Sequence, residues 1–272
     1  MYFQPKNLDE ALEIKAKLGA DGTLLAGGTD LVVGIRKGRT QVSNFIDLSK
    51  VAELGELQEQ DGFLRIGAAT VHRRLESCAH KALADAAATV GGPQIRNLGT
   101  VGGQIGTASP AGDVSVALIA LNAEVELLSA ARGSRRLPLA DIFTGPGKTS
   151  IADDELIRAV WVPHGRRSEF YKIGKRDAVA ISVVMAAASI GPSNDVAIGI
   201  GCVAPTPLRC RRAEDHINSH GLDGATINDA AQIVREDVSP IDDHRAGAAY
   251  RREMAGTLTK RLLWRLLHSK GG

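Results

Sequence analysis

The sequence predicts an α+β fold: two N-terminal α/β pieces, then a C-terminal part of antiparallel strands and helices. Three observations carry this expectation. Strand-like and helix-like segments alternate over residues 8–163. Two apolar runs, 180–190 and 196–203, flank the turn Gly191-Pro192-Ser193-Asn194, as an antiparallel pair would. Beyond Pro207 the spacing is helical to the end.

In the first piece, residues 8–18 place Leu8, Ala11, Leu12, Ile14 and Leu18 near helical spacing. Asn7 can cap that helix and Gly19 can end it. Residues 23–26 read as a strand running into Gly27-Gly28-Thr29-Asp30. Residues 31–37 carry basic residues at their end, with Gly38 behind, and read as one or two helical turns. Residues 44–48 are a second strand, so 1–55 form a small α/β unit.

The second unit, 56–165, opens on a strand at 64–68. Residues 70–90 read as mostly helical, and 91–106 are the richest glycine stretch. A buried helix is expected at 114–121, a strand at 123–129, a turn at Gly145-Pro146-Gly147 and a strand at 155–162 ending on Pro163. The third unit, 166–272, ends in a helix over 250–267 with Leu258, Leu262, Leu263, Leu266 and Leu267 on one face.

Composition narrows the function classes. A net charge of +2, from 33 basic and 31 acidic residues, lacks the clustered basic excess that nucleic acid requires. The start has no basic and apolar leader pattern, and the longest apolar stretch, 178–190, is too short for a bilayer. A cytoplasmic protein without membrane insertion is expected. Cys78, Cys202 and Cys210 are scattered with no C-x-x-C, so any iron–sulfur cluster would sit on another chain.

Two segments carry chemistry. Leu24-Leu25-Ala26-Gly27-Gly28-Thr29-Asp30-Leu31 is a strand, a small-residue turn and a helix start. Glycines let a ligand approach the backbone, and successive N–H groups can converge on an anion. Thr29 adds a hydroxyl; Asp30 suits a helix cap or a ligand hydroxyl. Thr100-Val101-Gly102-Gly103-Gln104-Ile105-Gly106-Thr107 reads as a second loop of this kind, with Asp113 beyond it. Either one alone is equally a steric turn. Two, in separate units, point to a diphosphate ligand clamped between them. Neither holds G-x-G-x-x-G, and Gly147-Lys148-Thr149 lacks the first Walker glycine, since position 142 is Ile142.

At these segments the chain resembles the FAD-binding (medium) subunit family of molybdenum hydroxylases, of the xanthine dehydrogenase and carbon monoxide dehydrogenase type. Ala26-Gly27-Gly28-Thr29-Asp30-Leu31 resembles the family's first motif, and Thr100-Val101-Gly102-Gly103-Gln104 its second. Residues 95–99, 108–113 and 171–178 are also similar, and the resemblance covers essentially the whole chain. Gln104 stands where the family usually has Asn, one methylene shorter.

The resemblance implies a vanillyl-alcohol-oxidase/PCMH-like fold in which the two N-terminal subdomains clamp FAD. Carried over, Leu24, Leu25, Ala26, Gly27, Gly28, Thr29, Asp30 and Leu31, with Thr100, Gly102, Gly103, Gln104 and Thr107, would hold the diphosphate and ribityl chain. Asp113 would bind ligand hydroxyls, and Gly91 would let the backbone approach the cofactor. Leu156 or Ile157 would pack on a ring. Lys172 would lie near the isoalloxazine, with Lys175 as its competitor.

The same resemblance implies a small subunit with two [2Fe–2S] clusters, a large molybdopterin subunit, a dimer of heterotrimers and an external electron acceptor. No catalytic acid, base or metal ligand is assigned to this chain. A free-standing FAD-dependent oxidoreductase and a non-catalytic nucleotide-binding subunit are the alternatives. His216 and His220, four apart, have metal-ligand spacing, but a surface helix explains them. Trp161 and Trp264 read as packing residues.

Overall fold

The computed structural model describes residues 1–269. The chain opens with β1 (Tyr2–Phe3), α1 (Leu8–Leu18), β2 (Gly22–Leu25), α2 (Leu31–Arg36) and β3 (Asn44–Asp47). These strands form a parallel sheet in the order β1-β3-β2, with Leu24 opposite Ile46 and Leu25 opposite Asp47. The caps read from sequence close α1: Asn7 Oδ1 accepts from Glu10 N at 2.9 Å, and Gly19 takes a positive φ of 52°.

Next come β4 (Leu57–Gln60), β5 (Phe63–Gly67), α3 (His72–Leu75), α4 (Lys81–Ala88), α5 (Pro93–Arg96), α6 (Val101–Thr107) and α7 (Asp113–Ala120). They are followed by β6 (Glu124–Ser129), β7 (Gly133–Pro138), the hairpin β8 (Phe143–Gly145) with β9 (Lys148–Thr149), and β10 (Glu155–Pro163). The antiparallel sheet runs β4-β5-β10-β6-β7.

The last third holds β11 (Arg167–Ile173), β12 (Val184–Ile190), β13 (Val196–Gly201), β14 (Leu208–Arg209), α8 (Arg211–His220), α9 (Gly224–Asp237) and α10 (Ala248–His268). Its four strands pair antiparallel in chain order, and the helices pack on them. The α+β class therefore holds.

Helix α7 binds the last two thirds together. All eight of its residues are buried, as expected of a helix that is apolar all round. Val114, Leu118 and Ile119 join the core of the five-stranded sheet, while Val116, Ala117 and Ala120 meet Met185 and Ala187 of β12. Truncating Leu118 to Ala is expected to cost about 2–5 kcal/mol.

Two sequence expectations need correction. The second glycine segment is not a loop but helix α6, capped by Thr100, whose Oγ1 accepts from Gly103 N at 3.1 Å. Tight packing on Ala68 selects a residue without Cβ at Gly102, where a Cβ would lie 2.8 Å from Ala68 Cβ. Residues 70–90 are mostly helical, as read, in two pieces, α3 and α4, separated by residues 76–80. The strand expected over 180–190 starts only at Val184, because Val179 takes a left-handed φ of 54° and residues 174–183 form a loop.

Candidate functional site

A cleft of about 1410 Å³ is lined by all three parts of the chain. It exceeds the several hundred Å³ of an ordinary small-molecule pocket. One wall is the turn from β2 into α2. The backbone there is held by a close approach: a Cβ on Gly27 would lie 1.8 Å from Leu98 O. Gly28 then turns the chain at a φ of +66°. With Gly27 buttressed and Gly28 inverted, the N–H groups of Gly27, Gly28, Thr29 and Asp30 donate to none of the described residues. Four successive free donors beside a cleft form an anion-binding arrangement.

The opposite wall is α6, which works differently. Its leading amides are occupied: Val101 N bonds Thr70 O at 3.0 Å, Gly102 N bonds Ala68 O at 2.8 Å, and Gln104 N bonds Thr100 O at 3.0 Å. What α6 presents is a face without side chains. Gly103 and Gly106 are exposed; a Cβ would meet nothing at Gly106 and only Thr100 Oγ1 at Gly103. Gln104 Oε1 accepts from Ser115 N at 3.1 Å, so the longer amide ties α6 to α7 and leaves its NH₂ as a donor. Thr107 Oγ1 donates to Gly103 O at 2.8 Å and lies 3.4 Å from Asp30 Oδ2, joining the two walls. Asp30 forms no side-chain cap on α2.

The third wall is polar and buried. Asp113, 5% exposed, accepts from Lys172 Nζ at 2.6 Å and from Ser182 Oγ at 2.8 Å. Burial pushes the Asp113 carboxyl above the ordinary carboxylate value, against the opposing pull of Lys172 and Ser182. Farther along, Arg251 donates to Cys202 O at 2.9 Å and to Asp243 Oδ1 at 2.6 Å. Burial drives the Cys202 thiol up to about 12, so it is no nucleophile at neutral pH.

Every site residue named from sequence lines this one cleft, including Gly91, Leu156, Ile157 and Lys172. Gly91 takes a φ of +48°, and a Cβ there would lie 2.9 Å from Ile95 Cβ, so the local turn alone demands glycine. Lys175 lines a separate pocket with Tyr250, whereas Lys172 reaches the cleft. Trp161 lies elsewhere, its Nε1 donating to Glu126 at 2.8 Å, and Trp264 stacks on His268. His216 and His220 sit side by side on α8, and no cluster able to hold a metal occurs among the described residues.

The donor set and the side-chain-free face suit an elongated diphosphate ligand. The family comparison decides which one: residues 1–165 match the FAD binding domain of molybdopterin dehydrogenases, and 169–266 match the carbon monoxide dehydrogenase flavoprotein C-terminal domain. The chain belongs to the FAD-binding subunits of the xanthine dehydrogenase and carbon monoxide dehydrogenase family. It is 32% identical to the xanthine dehydrogenase FAD-binding subunit of Escherichia coli, over 100% of this chain and 97% of that one. It is 30% identical to the carbon monoxide dehydrogenase medium chain of Hydrogenophaga pseudoflava, over 96% and 95%. The solved structure of the carbon monoxide dehydrogenase from that organism superposes with a TM-score of 0.90 at 30% identity, covering 98% of this chain and 96% of that chain.

As a flavoprotein of this family, the chain has cleft residues that the motifs did not name. His72, Lys15, Cys202 and Arg251 all line it. Lys15 is spent on the carbonyls of Gly19 and Gly22, at 2.9 and 2.8 Å. None of the four carries a local sequence signal, because four segments far apart in sequence bring them together. No described helix is long and apolar enough to cross a membrane.

Proposed function

We propose that this chain is the FAD-carrying electron-transfer subunit of a molybdenum hydroxylase complex. In this reading, electrons leave a substrate at a molybdopterin centre on a large subunit and pass through two [2Fe–2S] clusters on a small subunit. They reach the flavin and go on to an external acceptor. The complex is a cytoplasmic dimer of heterotrimers, and the chain divides at about residues 55 and 165.

The observation that carries the reading is the pairing of four free amides at Gly27 to Asp30 with the bare face of α6 across one cleft. The amides would take the diphosphate oxygens, and Gly103 and Gly106 would let the cofactor lie against the helix. Gln104 NH₂ and Thr107 Oγ1 would bond the ribityl side. Leu156 and Ile157 would offer apolar contact, and Lys172, held in its ion pair with Asp113, would offer an N–H donor. FAD supplies the redox chemistry, accepting electrons singly and releasing them in pairs. The protein binds, orients and sets the local charge; no residue here needs to exchange a proton with a substrate.

The relatives support a substrate chosen elsewhere. Chains about equally similar to this one are named for xanthine, nicotinate and carbon monoxide dehydrogenases. The test is purification from the native source, with chain composition, molybdenum, iron and flavin measured together. Two additional chains with both metals support the assignment. A lone metal-free yellow protein that turns over a substrate would replace it with a free-standing flavoenzyme.

A further inference from the structure

His72 opens α3 and is only 2% exposed, yet it lines the cleft. Its backbone N–H donates to Gly99 O at 3.0 Å. Its ring packs where the two walls meet: a Cβ built on Gly99 would lie 3.1 Å from His72 Cδ2 and 3.4 Å from Thr29 Oγ1. The imidazole therefore touches the residue before Thr100 and neighbours the turn whose amides are free. No hydrogen bond joins the ring to a described residue, and Nδ1 is sealed from solvent. A buried polar ring without a partner calls for a reason.

We propose that His72 is a third component of the FAD site, with Nε2–H donating to an oxygen of the cofactor's diphosphate. The inference rests on the reading that the cleft holds FAD. Burial alone holds the ring's pKa down to about 4, so at neutral pH it carries one N–H. That proton can sit on either nitrogen. A sealed, unpaired N–H is costlier than a sealed lone pair, since orphaned donors are the rarer of the two in folded proteins. The proton therefore resides on Nε2, the nitrogen left to meet a ligand. A neutral donor also leaves the charge balance of the cleft unchanged when it is empty. A histidine kept only for packing would be replaced by phenylalanine without loss of binding, which separates the two roles.

The experiment titrates flavin-free protein with FAD and, separately, with riboflavin, which lacks the diphosphate, following flavin fluorescence. His72→Phe is expected to weaken FAD roughly tenfold, the loss of one hydrogen bond to a charged acceptor, and to leave riboflavin unchanged. His72→Gln, which keeps an N–H donor, should recover most of the difference. Equal weakening of both flavins by His72→Phe, or no weakening of FAD, overturns the inference. Should His72→Phe fail to fold, ¹⁵N histidine spectra of the wild type decide. An Nε2–H tautomer whose resonance shifts with FAD but not riboflavin supports the contact, and an Nδ1–H tautomer or an FAD-insensitive signal overturns it. A wild type that binds neither flavin removes the FAD reading, and this inference with it.

Discussion

Lys172 Nζ lies 2.6 Å from Asp113 Oδ2, an ion pair with side chains 11% and 6% exposed that ties β11 to the first residue of α7. It anchors the C-terminal sheet to the helix that joins the core of the five-stranded sheet to β12, at the wall of the cleft. Replacing Lys172 by Met leaves a buried carboxylate without its counter-charge, and such half-broken pairs cost about 3–5 kcal/mol. Asp113→Asn should cost a similar amount. The double variant should cost clearly less than the two singles added, because neither charge is then stranded. Urea unfolding of the four proteins measures this, and simple additivity would show that the pair is not energetically coupled.

The two glycine walls are expected to respond differently to the same substitution. Gly103→Val adds a side chain on the open face of α6, where only Thr100 Oγ1 stands near. Because a Cβ would lie 2.9 Å from this hydroxyl, which caps α6, the variant should fold at a cost of about 0.5–2 kcal/mol and retain no flavin. Gly28→Val imposes a β-branched residue on a φ of +66°, which adds strain of about 1–3 kcal/mol to any loss of binding. Circular dichroism and flavin content together separate these effects. Flavin retained in both variants would contradict the assignment of the walls.

Much of this site was legible in the sequence, because the residues that make it are glycines, and glycine announces a backbone need. The reason for each need was not legible. Gly27 answers to Leu98 O and Gly102 to Ala68, so both are demanded by protein packing, and Gly28 is demanded by its φ of +66°, while Gly103 stands on the exposed face of α6. Thr100 to Thr107 looked like a second loop because three glycines in eight residues oppose helix formation. Burial of Val101 and Ile105 in the main core overrides that propensity. Among the strands, β7 escaped notice because its residues, Gly133-Ser134-Arg135-Arg136-Leu137-Pro138, are nearly all exposed at a sheet edge and lack the alternating apolar signal.

His72 gives the protein a pH signature. Burial lowers its pKa from the usual 6.5 to about 4, so the unfolded chain binds the proton more readily than the native one. Its contribution is complete above pH of about 6.5 and is lost as pH falls toward about 4, at roughly 1.4 kcal/mol per unit. Wild-type stability should decline through that window, and His72→Gln should flatten the decline. Parallel slopes for the two proteins would show that His72 is not buried as described.

Asp243 acts in the same sense, in a more acidic window. Burial alone would raise its carboxyl, but the amides of Arg245 and Ala246 and the Arg251 and Arg245 side chains hold it well below the ordinary range. This stabilisation is present above the unfolded carboxylate value of about 3.9 and disappears as pH falls below it. Asp243→Asn should be less stable than the wild type at pH 7, with the difference shrinking in acid. An undiminished difference at about pH 2 would contradict the ion pairing.

The central claim is that the cleft between the β2–α2 turn and α6 holds FAD, and the most direct measurement is the flavin-to-chain ratio. The purified protein, supplied with FAD if it emerges empty, should show flavin absorbance at one FAD per chain. Gly103→Val, folded to the same extent, should show none. A folded wild type that stays colourless in excess FAD would contradict the account, as would a Gly103→Val protein that is equally yellow.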